Sequence, residues 1–80
     1  MNIKTLFFGV TRDIIGEGSA IFDLNEDLTI ADFQNILTKN YSGLTDIKSF
    51  AVAVNEEYVT EDYKIQENDI IAIIPPVSGG

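Results

Sequence analysis

Eighty residues, 45% of them hydrophobic, suit one globular domain and exclude both a disordered chain and one with several cores. The absence of cysteine and histidine excludes disulfides, thiolate metal sites, a persulfide on this chain and the commonest general base, so catalysis by its side chains alone is not expected. Thirteen acidic residues against five basic ones, a net charge of −8, disfavour nucleic acid and anionic membranes. The same charge steers a basic protein partner and keeps a small domain soluble.

Residues 3–8 read as the first strand. Ile3, Thr5 and Phe7 point to one face, and Lys4, Leu6 and Phe8 to the other. Large apolar groups on both faces predict a central strand, ended by Gly9. Thr11 is the expected cap of a short helix over residues 11–15, with Gly16 as its stop. The Gly16-Glu17-Gly18 loop lacks the spacing and the Lys-Ser/Thr pair of a phosphate-binding loop.

Residues 19–24 read as a second strand with Ala20, Phe22 and Leu24 facing inward. Asp23, Asn25 and Asp27 resemble the start of a calcium loop. However, Leu28 stands where glycine is required and Gln34 where the closing glutamate should be, so no metal site is expected. Thr29-Ile30-Ala31-Asp32 is a capping box with Asp in place of Glu. The helix it opens carries Ile30, Phe33, Leu37 and Tyr41 as one apolar stripe, widened by Ile36, and ends within residues 40–43.

Residues 50–54 form a predicted third strand, Asn55-Glu56-Glu57 a turn, and Tyr58-Val59-Thr60 a short fourth strand. A one-turn connector is expected over residues 62–65, then a polar turn at Glu67-Asn68-Asp69 and a buried last strand, Ile70-Ile71-Ala72-Ile73-Ile74. The fold class is therefore α+β. One long helix packs across one face of a mixed sheet, and the first and last strands lie parallel and adjacent at its centre. A single long helix covers a single face. Leu6, Phe8, Ala72 and Ile74, with Tyr58 nearby, are left on the other face as an apolar patch suited to a protein interface.

The chain closes on Pro75-Pro76-Val77-Ser78-Gly79-Gly80. Two prolines end the strand and start the tail stiff and extended, and two glycines leave its tip bare. At about 3.3 Å per residue, the segment reaches on the order of 20 Å beyond a body of residues 1–74. A stiff stalk with a bare tip suits insertion of the Gly80 α-carboxylate into a narrow site on another protein. No apolar run approaches the ~20 residues of a bilayer span and no signal-peptide pattern opens the chain, so a cytoplasmic location is expected.

The order of elements and the Gly-Gly end resemble the ubiquitin-like β-grasp fold. Ile3-Lys4-Thr5-Leu6-Phe7-Phe8, Thr11-Arg12-Asp13-Ile14-Ile15-Gly16 and the closing Pro75-Pro76-Val77-Ser78-Gly79-Gly80 resemble the small sulfur-carrier subunits of molybdopterin synthase. The resemblance spans essentially the whole chain, and the ending is its most specific part. It implies that an ATP-dependent activating enzyme adenylates Gly80, that sulfur from a persulfide relay replaces AMP, and that a C-terminal thiocarboxylate results. It implies further that the tail enters the large subunit of a heterotetrameric synthase and gives its sulfur to cyclic pyranopterin monophosphate. Gly79 gives the reacting terminus room. Phe8, Tyr58 and Ile74 map onto the family's partner-facing residues, with Tyr58 in an aliphatic position, and Pro75, Pro76, Val77 and Ser78 complete the docking segment. ATP belongs to the activating partner, and no cofactor to this chain. A thiamine-thiazole sulfur carrier, a ubiquitin-like protein modifier and a plain interaction module remain open alternatives.

Overall fold

The computed structural model describes residues 1–44 and 46–76. Its elements are β1 (Asn2–Phe7), α1 (Val10–Ile15), β2 (Ser19–Asp23), α2 (Ile30–Asn40), a 3-10 turn (Ile47–Ser49), β3 (Ala51–Val54), β4 (Glu57–Tyr58) and β5 (Ile70–Ile74). The five strands make one sheet in the order β2-β1-β5-β3-β4. β1 and β5 run parallel, with Thr5 beside Ile71 and Phe7 beside Ile73, and the remaining pairs are antiparallel. This is the expected mixed sheet with the first and last strands joined near its centre. The two strands with apolar side chains on both faces take inner places in the sheet, where each is flanked by a neighbour on both sides.

Helix α2 starts where its capping box predicts. The Thr29 N–H donates to Asp32 Oδ2 at 3.0 Å and the Asp32 N–H to Thr29 Oγ1 at 3.2 Å. Its buried stripe is Ile30, Phe33, Gln34 and Leu37. These sit at the i, i+3, i+4, i+7 spacing of one helical face. Tyr41, expected on that stripe, is instead the extended residue that ends the helix, its N–H donating to the Leu37 carbonyl at 2.9 Å. It and Ile36 pack half-buried at the margin of the core. Against the stripe lie Ile3, Phe7, Ile71 and Ile73, and Phe22 sits edge-on to both Phe7 and Phe33 with ring centroids 6.3 and 5.4 Å apart. Each of these large side chains contributes about 1.5–3 kcal/mol by leaving water.

Five local expectations are corrected. β1 ends at Phe7, and Phe8 follows it with an N–H still directed to the Ile73 carbonyl at 3.4 Å. α1 starts at Val10 behind Gly9, not behind Thr11. Thr11 is fully buried, and its hydroxyl donates back to the Phe8 carbonyl. β2 stops at Asp23, although Leu24 is buried as expected. Residues 62–65 form no helical turn, because their backbone is taken by the loop before α2. Ile30 N–H donates to the Tyr63 carbonyl at 2.9 Å, Ile65 N–H to the Leu28 carbonyl at 2.8 Å, and Thr29 bridges Lys64. β4 is only Glu57–Tyr58, with Val59 N–H adding one more bond to the Val52 carbonyl at 3.0 Å.

Candidate functional site: an apolar groove at the root of the tail

The face of the sheet turned away from α2 is open. Register places Tyr58, Ala53, Ala72 and Leu6 side by side across β4, β3, β5 and β1. The two alanines make a low floor. Phe8, Ile70, Ile74 and Tyr58 stand around it, so the surface is a groove of about 600 Å³. Small side chains on the two central strands and large ones at the margins are what make a pleated face concave. Phe8 is 48% exposed and Tyr58 75%, values far above those of core aromatics. Phe8, Tyr58 and Ile74 therefore come together in one groove, as side-chain alternation anticipated. Lys4 lies on this same face, between Ile21 and Ile70 in register.

The tail leaves from the wall of the groove. Ile74 is the last residue of β5, Pro75 is half-buried and Pro76 exposed. Gly9 supports that departure. Its backbone, φ 57 and ψ −133, lies where residues with a side chain are strained. A Cβ there would stand 3.0 Å from the Pro75 Cγ. The bare glycine thus lets the proline ring rest on the chain between β1 and α1. The sequence marked Gly9 only as the end of a strand. A sharp reversal directly after a central strand was the signal for its conformation, but nothing local announced its contact. Val77, Ser78, Gly79 and Gly80 lie outside the described residues.

The other end of β5 is pinned by a buried carboxylate. Asp69, 6% exposed, accepts from Asn55 Nδ2 at 2.8 Å, the Tyr63 hydroxyl at 2.9 Å and the Gln66 N–H at 2.7 Å. Asn55 closes the clasp, its N–H donating to the Ile70 carbonyl at 2.9 Å and its Oδ1 accepting from the Ile70 N–H at 3.0 Å. The clasp ties the β3–β4 turn, and with it Tyr58, to the strand that carries Ile74. Burial, then the hydrogen bond to the Asp69 carboxylate and its charge, raise the pKa of the Tyr63 hydroxyl. Asp69 reads in sequence as a residue of an exposed polar turn, and its burial depends on Tyr63 and Asn55 folding over it.

Among the described residues no group of three carboxylates is placed to hold a metal, and the one ion pair joins the Met1 amino group to Asp23 at 3.5 Å. The excess negative charge is thus left to face solvent and partners. The arrangement offers docking through the groove and presentation of the tail.

The model of the ThiS family matches residues 5–80. A molybdopterin synthase sulfur carrier subunit from Dictyostelium discoideum is 38% identical over 81 residues, which cover 96% of this chain and 94% of the relative. SAMP1 from Haloferax volcanii superposes with a TM-score of 0.86 at 21% identity over the full length of both chains, a likeness of fold alone. The fold is thus ubiquitin-like β-grasp, as expected. A chain from the complex of subunits 1 and 2 of molybdopterin-converting factor from Helicobacter pylori superposes with a TM-score of 0.70 at 26% identity, again over all of both chains.

Proposed function

We propose that this chain, which belongs to the ThiS family, is the sulfur carrier of a molybdopterin synthase, with Gly80 as the point of attachment. The observation that carries the proposal is the launch of a Pro-Pro…Gly-Gly tail from the wall of an exposed apolar groove, on a body of residues 1–74. Binding and chemistry are thereby separated. The groove, through Phe8, Tyr58 and Ile74, holds the large subunit of the synthase. Residues 75–80 form the tail that carries the reacting group into that subunit.

A carboxylate is a poor acyl donor because its negative charge and resonance resist attack. Joining it to AMP makes a mixed anhydride with a good leaving group. The chain has no phosphate-binding loop, so ATP sits on the activating enzyme. That partner attaches AMP to Gly80 with loss of pyrophosphate; the outer sulfur of a persulfide then displaces AMP to give an acyl disulfide, and a second thiol of the relay cleaves its S–S bond, becoming oxidised to a disulfide with the relay cysteine and leaving the sulfur on Gly80. The resulting thiocarboxylate enters the large subunit and its sulfur bonds to cyclic pyranopterin monophosphate; water then cleaves the acyl–sulfur bond, leaving the sulfur on the pterin and returning the carboxylate. Gly79 and Gly80 admit the enzyme backbone and the nucleotide at close range because they have no side chains. A partner that consumes ATP suits action in the cytoplasm.

The test compares the full chain with one lacking Gly80, in conversion of the cyclic pterin to molybdopterin by activating enzyme, large subunit, ATP and a sulfur source. Removing Gly80 withdraws the carboxylate by about 3.3 Å. A misplacement of about 1 Å already costs on the order of a hundredfold in rate. The shortened chain is expected to fold and dock, to gain no sulfur by intact mass, and to support no turnover. Turnover at the full-length rate would remove Gly80 from the chemistry and the sulfur-carrier reading with it.

A further inference from the structure

The open face of the sheet continues past the groove. Ile70, at the groove's margin, is 43% exposed. Lys4 of β1 stands beside it in register, and Ile21 of β2, 70% exposed, stands beside Lys4. Strands lie about 4.8 Å apart, so this row reaches on the order of 10 Å past Ile70, to the edge of the sheet. Lone apolar side chains on a surface are ordinary, but these two flank one cation in a row continuous with the groove. Lys4 is the only basic residue in any of the five strands. It guards no edge, because β1 is paired on both sides. Among the described residues it has no ion-pair partner. Asp23, the one carboxylate of β2 on this face, pairs with the Met1 amino group at 3.5 Å. A lysine so placed matches an apolar cover with its stem and an anion with its head.

We propose that the docking face runs from the groove across β1 to Ile21, and that the partner covering it sets a carboxylate against the Lys4 ammonium, with apolar side chains on Ile21 and Ile70 around the pair. The identity of that partner, the large subunit, rests on the sulfur-carrier reading. Apolar cover on both sides keeps water from the pair and turns the charge into a test of fit. A protein with a matching apolar surface but no carboxylate would bury Lys4 unpaired, which is costly. The row thus adds a single point of charge recognition to a docking surface that is otherwise apolar, and of the sign opposite to the net charge of −8.

The experiment measures binding of the full chain to the large subunit for Lys4→Met, which keeps the stem and removes the charge, Lys4→Glu, Lys4→Arg and Ile21→Thr. Both positions are exposed, so all four variants should melt close to the wild type. Lys4→Met is expected to bind about tenfold more weakly and Lys4→Glu about a hundredfold, through faster dissociation, while Lys4→Arg keeps most of the affinity. Ile21→Thr should weaken binding about threefold. General attraction between an acidic chain and a basic partner predicts the reverse: loss of a cation would speed association and tighten the complex. Equal or tighter binding by Lys4→Met therefore overturns the proposal, and the sulfur-carrier reading, tested by removal of Gly80, is untouched. If sedimentation shows the wild type pairing with itself, and Ile21→Thr undoes that pairing without weakening its binding to the large subunit, the row belongs to a second copy and the proposal is again overturned. If the wild type does not bind the large subunit at all, both readings fall.

Discussion

Gly9 is the position where one added methyl group tests both the fold and the launch of the tail. In Gly9→Ala the backbone must hold φ 57 and ψ −133 with a Cβ attached. Conformations of this kind cost a non-glycine residue about 2 kcal/mol. The new Cβ also meets the Pro75 Cγ at 3.0 Å, so the ring must retreat by a few tenths of an ångström. Crowding of that kind adds about 1 kcal/mol. The total, about 3 kcal/mol, should lower the melting temperature of an 80-residue domain by about 15 °C. Pro75→Ala removes the offending Cγ, so in a double-mutant cycle followed by urea unfolding it should return the contact part, about 1 kcal/mol, and leave the backbone part. Gly16→Ala is the control: its φ is 87, but nothing lies within 4 Å of its would-be Cβ. It should lose about 1 kcal/mol and show no coupling to Pro75. Sulfur transfer by Gly9→Ala, measured below its melting point, should fall severalfold because the root of the tail has moved. Equal losses at Gly9 and Gly16, or no coupling between Gly9 and Pro75, would refute this account of how the tail is positioned.

Three further outcomes are expected. Phe8→Asp and Ile74→Asp should each leave a folded chain but weaken binding to the large subunit by about 2–5 kcal/mol, since the new charge would be buried unpaired; unchanged affinity by calorimetry would exclude the groove as the docking face. Thr5 is fully buried with an unpartnered hydroxyl, so Thr5→Val should raise stability in urea by about 1 kcal/mol, and a loss would mean that the hydroxyl has a partner after all. The pKa of Tyr63 is raised in the folded chain, so the folded state holds that proton more tightly than the unfolded one. Its contribution is present in full below the ordinary tyrosine value of about 10 and is lost as pH rises through the folded value. Unfolding free energies measured across that alkaline range should therefore fall more steeply for wild type than for Tyr63→Phe.

Much of the architecture was legible because it rests on covalent spacing. Thr29 and Asp32 lie three residues apart and cap the helix that follows them, and Ile30, Phe33 and Leu37 share a face at the α-helical period. Alternation in residues 3–8 and 70–74 separates two faces whatever the neighbours are, and a single long helix leaves one of them open. The groove of Phe8, Tyr58 and Ile74 follows from those facts. The prolines and glycines of the tail speak through backbone chemistry alone.

Tertiary structure decided the rest, because it depends on which distant segments meet. Gln34 reads as a polar helix residue. It is buried because α2 settles with the 30-33-34-37 face inward and residues 50–61 close over it. Gly9 and Pro75 are far apart in sequence and touch only because β1 and β5 run parallel side by side. Asp69 sits in a run of polar residues that any local reading sends to the surface. It is buried because Asn55, from the β3–β4 turn, and the Tyr63 side chain fold over it and, with the Gln66 N–H of its own turn, satisfy its oxygens. Residues 62–65 have no intrinsic reason to avoid a helical turn, but their backbone groups are used by the loop before α2. Local periodicity determines which side chains share a face. Long-range pairing determines which polar groups can be buried, and so where the groove, the clasp and the root of the tail stand relative to one another.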